Sequence, residues 1–190
     1  MERLRPIFTR LYETYPLYGP LVFVDFETTG LSRDAKVIEI GAISVSFDGI
    51  HVAFDTFETL INPNQKIDKI VTDTTGITNE ELANAPGEEK YHDFHQWLLK
   101  SSPSKIIAHN ANFDERIIKY NFNRMNIHYM FPSFECTVRM SRKQLKDISN
   151  DKLVTVANKF NFKNTQAHRA LTDTETCAYV YAKLILGEYQ

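Results

Sequence analysis

Apolar residues recur along this chain with two periods. Leu4, Ile7, Phe8, Leu11 and Tyr15 fall at helical spacing, and Pro6 suits a first turn, so residues 1–15 are predicted to form a short amphipathic helix. Pro16, Gly19 and Pro20 break it. Leu21–Phe26, Val37–Phe47 and Val52–Ile61 are predicted strands, and Asp48-Gly49 between the last two signals an antiparallel hairpin. Asn62-Pro63 ends the third strand, and a polar stretch follows with short helical pieces, among them Asn79–Ala83. Tyr91–Leu99 places Phe94, Trp97 and Leu98 on one side of a helix. Lys105–Ala108 is a fourth strand, followed by a helix over about Phe113–Tyr120. A short strand near Phe134–Cys136 precedes a helix through Lys146, and Leu153–Phe160 and about Ala170–Leu186 complete the set. Three strands followed by alternating strands and helices predict an α/β domain with a mixed central sheet of about five strands flanked by helices. Residues 1–19 are expected to be an N-terminal helical extension, packed on its own domain or docking a partner, and residues 20–190 the main domain.

Composition narrows the function classes. At 190 residues the chain fits one domain, and 43% hydrophobic residues supply a core. A formal net charge of −2 excludes a histone-like coat. No apolar run approaches the ~20 residues of a membrane span, so no membrane partner is expected. The N-terminus has Arg3, Arg5 and Arg10 without a continuous apolar segment, so no secretory signal is expected. Two cysteines, Cys136 and Cys177, are too few for a disulfide framework, and reduced thiols in a cytoplasmic protein are the expectation.

Four acids stand out against this pattern. On the first strand Leu21, Phe23, Asp25 and Glu27 share a face, because side chains alternate. Either the strand ends early and both acids are solvated near Thr28-Thr29-Gly30, or two anions share a buried face and need a cation. Hard divalent ions such as Mg²⁺ or Mn²⁺ prefer carboxylate oxygens. Asp114 falls in a first helical turn, where Asn112 can cap with Glu115 as its capping-box partner; a favourable first-turn acid is the plainer reading. Asp173 lies on the apolar stripe Ala170, Cys177, Val180, Tyr181 and Leu184, so it is either a satisfied core acid or a metal ligand. His168, five residues earlier, is turned about 140° away on any shared helix. It therefore precedes the helix on a loop, either solvated or free to swing toward whatever Asp173 binds. An imidazole with a pKa near ~6.5 is suited to taking a proton.

In this order the segments resemble the DEDDh family of 3′→5′ exonucleases. They are Val24-Asp25-Phe26-Glu27-Thr28-Thr29-Gly30-Leu31, Ala108-His109-Asn110-Ala111-Asn112-Phe113-Asp114 and His168-Arg169-Ala170-Leu171-Thr172-Asp173. Ile38-Glu39-Ile40-Gly41-Ala42 and Thr75-Gly76-Ile77-Thr78 match as well, and the likeness spans about residues 20–186. It is similar to the proofreading exonuclease domain or subunit of bacterial replicative DNA polymerases. The resemblance implies a ribonuclease H-like fold. It implies Asp25, Glu27, Asp114 and Asp173 as ligands of two Mg²⁺ or Mn²⁺ ions, and His168 as general base. Thr28, Thr29, Leu31, Asn110 and Phe113 are implied to bind the terminal nucleotide. Two positions depart from the pattern: Thr75 stands where some relatives carry His, and Cys136-Thr137 where Asp-Thr is common. Both bear on substrate preference.

The resulting expectation is hydrolysis of phosphodiester bonds at DNA 3′ ends, in proofreading, repair or end trimming. An RNA 3′-end trimmer like ribonuclease T and an inactive nucleic-acid-binding scaffold are the rivals. An acidic protein must still attract a polyanion, and residues 137–170 carry eight Lys or Arg against two Asp. Arg139, Arg142, Lys143 and Lys146 are spaced as one helical ridge, either an ordinary solvated face or a track for phosphates. The chain ends soon after its last predicted helix, so no attached polymerase is expected; a free enzyme or a subunit of a polymerase, helicase or CRISPR adaptation complex would fit.

Overall fold

The computed structural model describes residues 1–15, 19–164 and 166–188. Pro16 of the predicted break lies outside them. Helix α1 (Arg5–Thr14) leads into strand β1 (Leu21–Thr28), followed by β2 (Val37–Phe47) and β3 (Val52–Leu60). Helices α2 (Lys69–Thr75), α3 (Asn79–Asn84) and α4 (Lys90–Ser101) precede β4 (Lys105–Ala108), α5 (Ala111–Arg124) and β5 (Ser133–Cys136). Helices α6 (Thr137–Gln144), α7 (Leu153–Lys159) and α8 (Ala170–Leu186) follow. The five-stranded sheet has the order β3-β2-β1-β4-β5, with β1–β2 and β2–β3 antiparallel and β1–β4 and β4–β5 parallel. The mixed sheet expected from the sequence is therefore the one observed.

The alternation of β1 separates two cores. Val22, Val24 and Phe26 pack with Tyr91, Phe94 and Leu98 of α4 and Ile117, Ile118 and Phe122 of α5. Leu21 and Phe23 face α1 and α8, where Phe23 meets Phe8 and Tyr181 edge-on at 5.7 and 5.4 Å between centroids. Helix α1 thus shares a core with the sheet: Leu4, Ile7, Phe8, Leu11 and Tyr12 are buried there. Tyr12 takes the inward position predicted for Tyr15, which is 45% exposed where the chain turns extended at the helix end.

Three local expectations shift. The helix predicted through Lys146 stops at Gln144, because Leu145 adopts an extended backbone and buries against Val156, Phe160 and Leu184. The basic ridge is thereby shortened: Arg139, Arg142 and Lys143 lie on α6 and Lys146 beyond it. Helix α5 begins at Ala111, two residues earlier than predicted, so Asn112 sits inside the first turn rather than capping it. Asn110 is the cap residue and makes no side-chain cap bond. Helix α2 was not delineated by the sequence. It buries Val71 and Thr75 at i, i+4 and ends at Gly76 in the left-handed region, φ 73°.

Candidate active site

The site gathers where β1 outruns its parallel neighbour. Pairing of β1 with β4 stops at Phe23–Ile107, while pairing with β2 continues to Thr28. Asp25 and Glu27 lie on that extension, in the strand rather than in a following turn, and both are partly exposed. The backbone N–H of Phe26, free of β4, donates to the carboxylate of Asp114, as does Asp114's own N–H. Asp114 is 4% exposed in the first turn of α5, which follows directly from β4. A register shift between Glu27 and Thr28 leaves Ile38 as an extra residue on β2, and a bulge at such a point re-aims neighbouring side chains.

Asp173, 8% exposed, enters from the first turn of α8. Both its oxygens are held by amides: the Asn164 side chain donates to Oδ1, and the His168 backbone N–H donates to Oδ2 at 2.9 Å. His168 is exposed, precedes α8, and has φ 63°, a left-handed conformation that costs a non-glycine residue about 1–3 kcal/mol. Ligand-capable atoms of Glu27, His168 and Asp173 all lie within 4.8 Å of one another.

Among the described residues, none of Asp25, Glu27, Asp114 and Asp173 forms a salt bridge with Lys or Arg. Burial pushes Asp25 far above the ordinary carboxylate range, and Asp114, Glu27, Asp173 and Glu39 add to the effect. Burial, then Asp173, Glu39 and Asp114, push Glu27 up to about 8, against a weaker pull from Arg169. Burial raises Asp114 to about 7 despite its two backbone donors. Asp173 is raised by burial, against its Asn164 and His168 donors. An all-oxygen donor set whose charges repel one another, with no side-chain cation in salt-bridge contact, fits hard divalent cations. The buried Cys177 thiol is pushed up by burial and by the charges of Asp25 and Asp114, and an un-ionised thiol is no nucleophile.

The residues expected at the terminal nucleotide divide between two sides. Thr28 is buried and donates from Oγ1 to the Gly30 carbonyl at 2.6 Å, and Thr29 Oγ1 accepts from Lys36 N–H at 3.1 Å, so both shape the turn after β1. Leu31 at its tip is 83% exposed. It faces a cleft of about 450 Å³ that Glu27, Thr28, Gly30 and Leu31 share with Ile70, Val71, Thr74 and Thr75. Phe113, partly buried under the Arg116 guanidinium, and exposed Asn110 stand on the α5 side. Thr75 is bound within its own turn, donating to the Val71 carbonyl at 2.9 Å.

Sequence reasoning missed four contributors. Asn164 gave no signal, being one polar residue in a polar segment. Ile70, 74% exposed at the cleft, lies on the undelineated α2. His109 bridges Thr137 Oγ1, at 2.8 Å, and the Asp151 carbonyl, at 2.7 Å, and so pins the 145–152 segment beside the site. Since a carbonyl only accepts, Nε2 carries the proton and Nδ1 accepts from Thr137. Glu39 did leave a signal, a carboxylate inside a run of nine buried strand positions.

The Exonuclease family profile matches residues 22–181. The PolC-type DNA polymerase III of Caldanaerobacter subterraneus subsp. tengcongensis is 34% identical over 170 residues, covering 89% of this chain and 12% of that protein. The Bacillus cereus PolC-type DNA polymerase III is 32% identical over 175 residues, covering 91% and 11%. The chain therefore spans about a tenth of the length of these curated relatives. Among solved structures, cell-death related nuclease 4 aligns with a TM-score of 0.74 at 20% identity, over 90% of this chain and 65% of that one. The nuclease domain of 3′hExo, a DEDDh family member bound to rAMP, aligns with a TM-score of 0.72 at 15% identity, over 90% and 94%. E. coli Exonuclease I bound to a dT13 oligonucleotide aligns at 0.73 and 16%, over 91% and 42%. These likenesses show the ribonuclease H-like exonuclease fold. The chain belongs to the Exonuclease family, and its enzyme class is the hydrolase class expected from the sequence, an exonuclease. No helix among the described residues is long and apolar enough to cross a membrane.

Proposed function

We propose that this chain removes nucleotides from DNA 3′ ends, with two Mg²⁺ or Mn²⁺ ions held by Asp25, Glu27, Asp114 and Asp173, as a proofreading, repair or trimming activity. The observation that carries the reading is that ligand atoms of Glu27, Asp173 and His168 lie within 4.8 Å of one another, beside Asp25 and Asp114, whose charges repel theirs with no Lys or Arg in salt-bridge contact among the described residues. Bound cations supply polarisation of the scissile phosphate and a lowered pKa for the attacking water. His168 takes the water's proton from its exposed loop, a role worth typically about 10²–10⁴-fold. Leu31, Ile70 and Val71 offer the face of the terminal base an apolar cleft, while Thr28, Thr29, Asn110 and Phe113 border its sugar and phosphate. Arg139 and Lys143 are exposed on α6 and form no salt bridge among the described residues, whereas Arg142 is held by Asp151 at 2.7 Å. Arg139 and Lys143 give the upstream strand its phosphate contacts, which makes binding weaken with salt. DNA is favoured over RNA because the PolC-type relatives are DNA polymerases, and a polymerase is the favoured partner on the same ground.

The deciding experiment is digestion of matched 5′-labelled DNA and RNA, single- and double-stranded, with Mg²⁺ or Mn²⁺. The expected result is a ladder shortening from the 3′ end, fastest on DNA, abolished by chelation and by Asp25→Ala. Faster RNA digestion would transfer the assignment to RNA trimming, and absence of metal-dependent cleavage would leave the inactive scaffold.

A further inference from the structure

Glu39 is 1% exposed and stands directly opposite Glu27 across the β1–β2 pair. Like charges facing each other across a pair oppose sheet formation. A guanidinium and an amide answer this one. Glu39 Oε1 accepts from Arg169 Nε at 3.0 Å and Nη2 at 2.7 Å, and Oε2 accepts from the Ala170 backbone N–H at 2.9 Å. Two residues on, β2 meets α8 backbone to backbone: a Cβ on Gly41 would lie 2.2 Å from the Ala170 carbonyl carbon. Thr174 Oγ1 donates to the Gly41 carbonyl at 2.9 Å. The cap residue of α8, Arg169, makes no side-chain cap bond of its own, so a carboxylate from the sheet satisfies the helix start instead.

This joint lies next to His168, the residue before Arg169. The Asp173 backbone is carried inside α8, with its carboxylate oriented by Asn164 and the His168 N–H, whereas His168 itself sits on the segment outside the helix, in a left-handed turn. The guanidinium of Arg169 is the side-chain anchor that ties this segment to the sheet at the level of Glu27.

We propose that Glu39 and Arg169 are positioning residues: their ion pair sets where His168 stands over Glu27, and so governs turnover rather than affinity for nucleic acid or cation. The proposal rests on the reading of His168 as the proton acceptor. Its test uses Arg169→Met, Arg169→Lys, Glu39→Gln and the double variant Glu39→Gln/Arg169→Met. The readouts are steady-state cleavage of 5′-labelled single-stranded DNA, Mn²⁺ titration calorimetry, and amide hydrogen exchange of residues 166–172. Misplacing a reacting group by about 1 Å costs about 10²-fold, so Arg169→Met and Glu39→Gln are each expected to lower kcat about 10–100-fold. KM and the Mn²⁺ affinity should stay within about threefold, and Arg169→Lys should recover most of the loss. The double variant should be no worse than the worse single one, because both remove one interaction. Exchange over 166–172 should quicken about tenfold, with β1 and β4 unchanged. A raised KM with normal kcat would assign Arg169 to substrate phosphates and overturn the proposal, as would unchanged exchange or additive losses. Should Glu39→Gln not fold, the Arg169 variants decide, since that side chain is 41% exposed. A wild-type chain without metal-dependent cleavage would defeat the proposed function, and the exchange measurement would still decide whether the pair holds the segment.

Discussion

The two halves of the candidate site are built differently. Asp25, Glu27 and Asp114 stand on the sheet and on the helix that leaves it, and Asp114 is tied by backbone N–H groups of Phe26 and of its own residue. The Asp173 carboxylate and His168 depend on Asn164 and on residues 168–169, where an asparagine side chain, a left-handed histidine and a guanidinium set the geometry. Backbone donors in a sheet cannot move without breaking the ladder, whereas side-chain donors on an irregular segment can. One half is therefore fixed by the fold and the other by local contacts, so substitutions in the two should fail in different ways.

The largest effect is expected in the fixed half. Asp114→Asn keeps the shape and removes one anion from the cation-binding set, so cleavage should fall by at least about 10⁴-fold, as the loss of several kcal/mol implies. The folded state should be as stable as wild type or more so, because the lost charge was repelled by Asp25 and Glu27. Cleavage rate and thermal melting check this together, and a destabilised variant would contradict a site under charge repulsion. His168→Ala tests the other half. Turnover should fall about 10²–10⁴-fold while Mn²⁺ affinity stays near wild type, measured by calorimetry. An equal loss of affinity would make His168 a ligand, which its distance to Glu27 and Asp173 also allows.

The fixed half also predicts a pH dependence. Glu27 and Asp114 are raised to about 8 and about 7, so between pH ~4 and pH ~8 the folded chain without cations holds more protons than the unfolded chain. Stability therefore falls as pH rises through that window, the reverse of an ordinary paired carboxylate. In chelator, unfolding free energy should drop by several kcal/mol between pH 5 and pH 8. Asp25→Asn should reduce the drop, and Mn²⁺ should reverse it at pH 8 more than at pH 5. Urea unfolding at the two pH values reads all three; a flat profile would mean that the acids do not share charge.

The same division decides what the sequence made legible. Asp25 and Asp173 each violate the pattern of a regular element, one on an apolar strand face and the other on an apolar helix stripe, and such violations are visible without coordinates. Glu39 breaks its strand in the same way, yet its partner Arg169 is 130 residues away and carries no local mark. Asn164 breaks no pattern at all. Helix α2 escaped because Lys69–Thr75 is rich in Thr and β-branched residues, which favour strands and turns; packing of Val71 against Ile38 and Ile77 overrides that preference. The early end of α6 at Gln144 likewise follows from a tertiary contact, the burial of Leu145.

Asn164→Ala probes the locally held half most gently. It removes the donor to Asp173 Oδ1 and leaves the His168 N–H on Oδ2. Asn164 is partly exposed, so water can replace part of what is lost, and the fold should hold. The carboxylate nonetheless gains freedom to turn about its helix, and a ligand that must be oriented anew binds its cation less well. Residues that orient a ligand without touching the metal typically contribute about 10–100-fold to affinity, and partial replacement by water places this one near the lower end. Mn²⁺ affinity should therefore weaken about tenfold, and cleavage at saturating Mn²⁺ should recover to within about threefold of wild type. That recovery separates Asn164 from His168: extra cation restores a loosened ligand but cannot replace a missing proton acceptor. If saturating Mn²⁺ left Asn164→Ala as slow as His168→Ala, the segment would act as one unit and the distinction between orienting Asp173 and placing His168 would collapse.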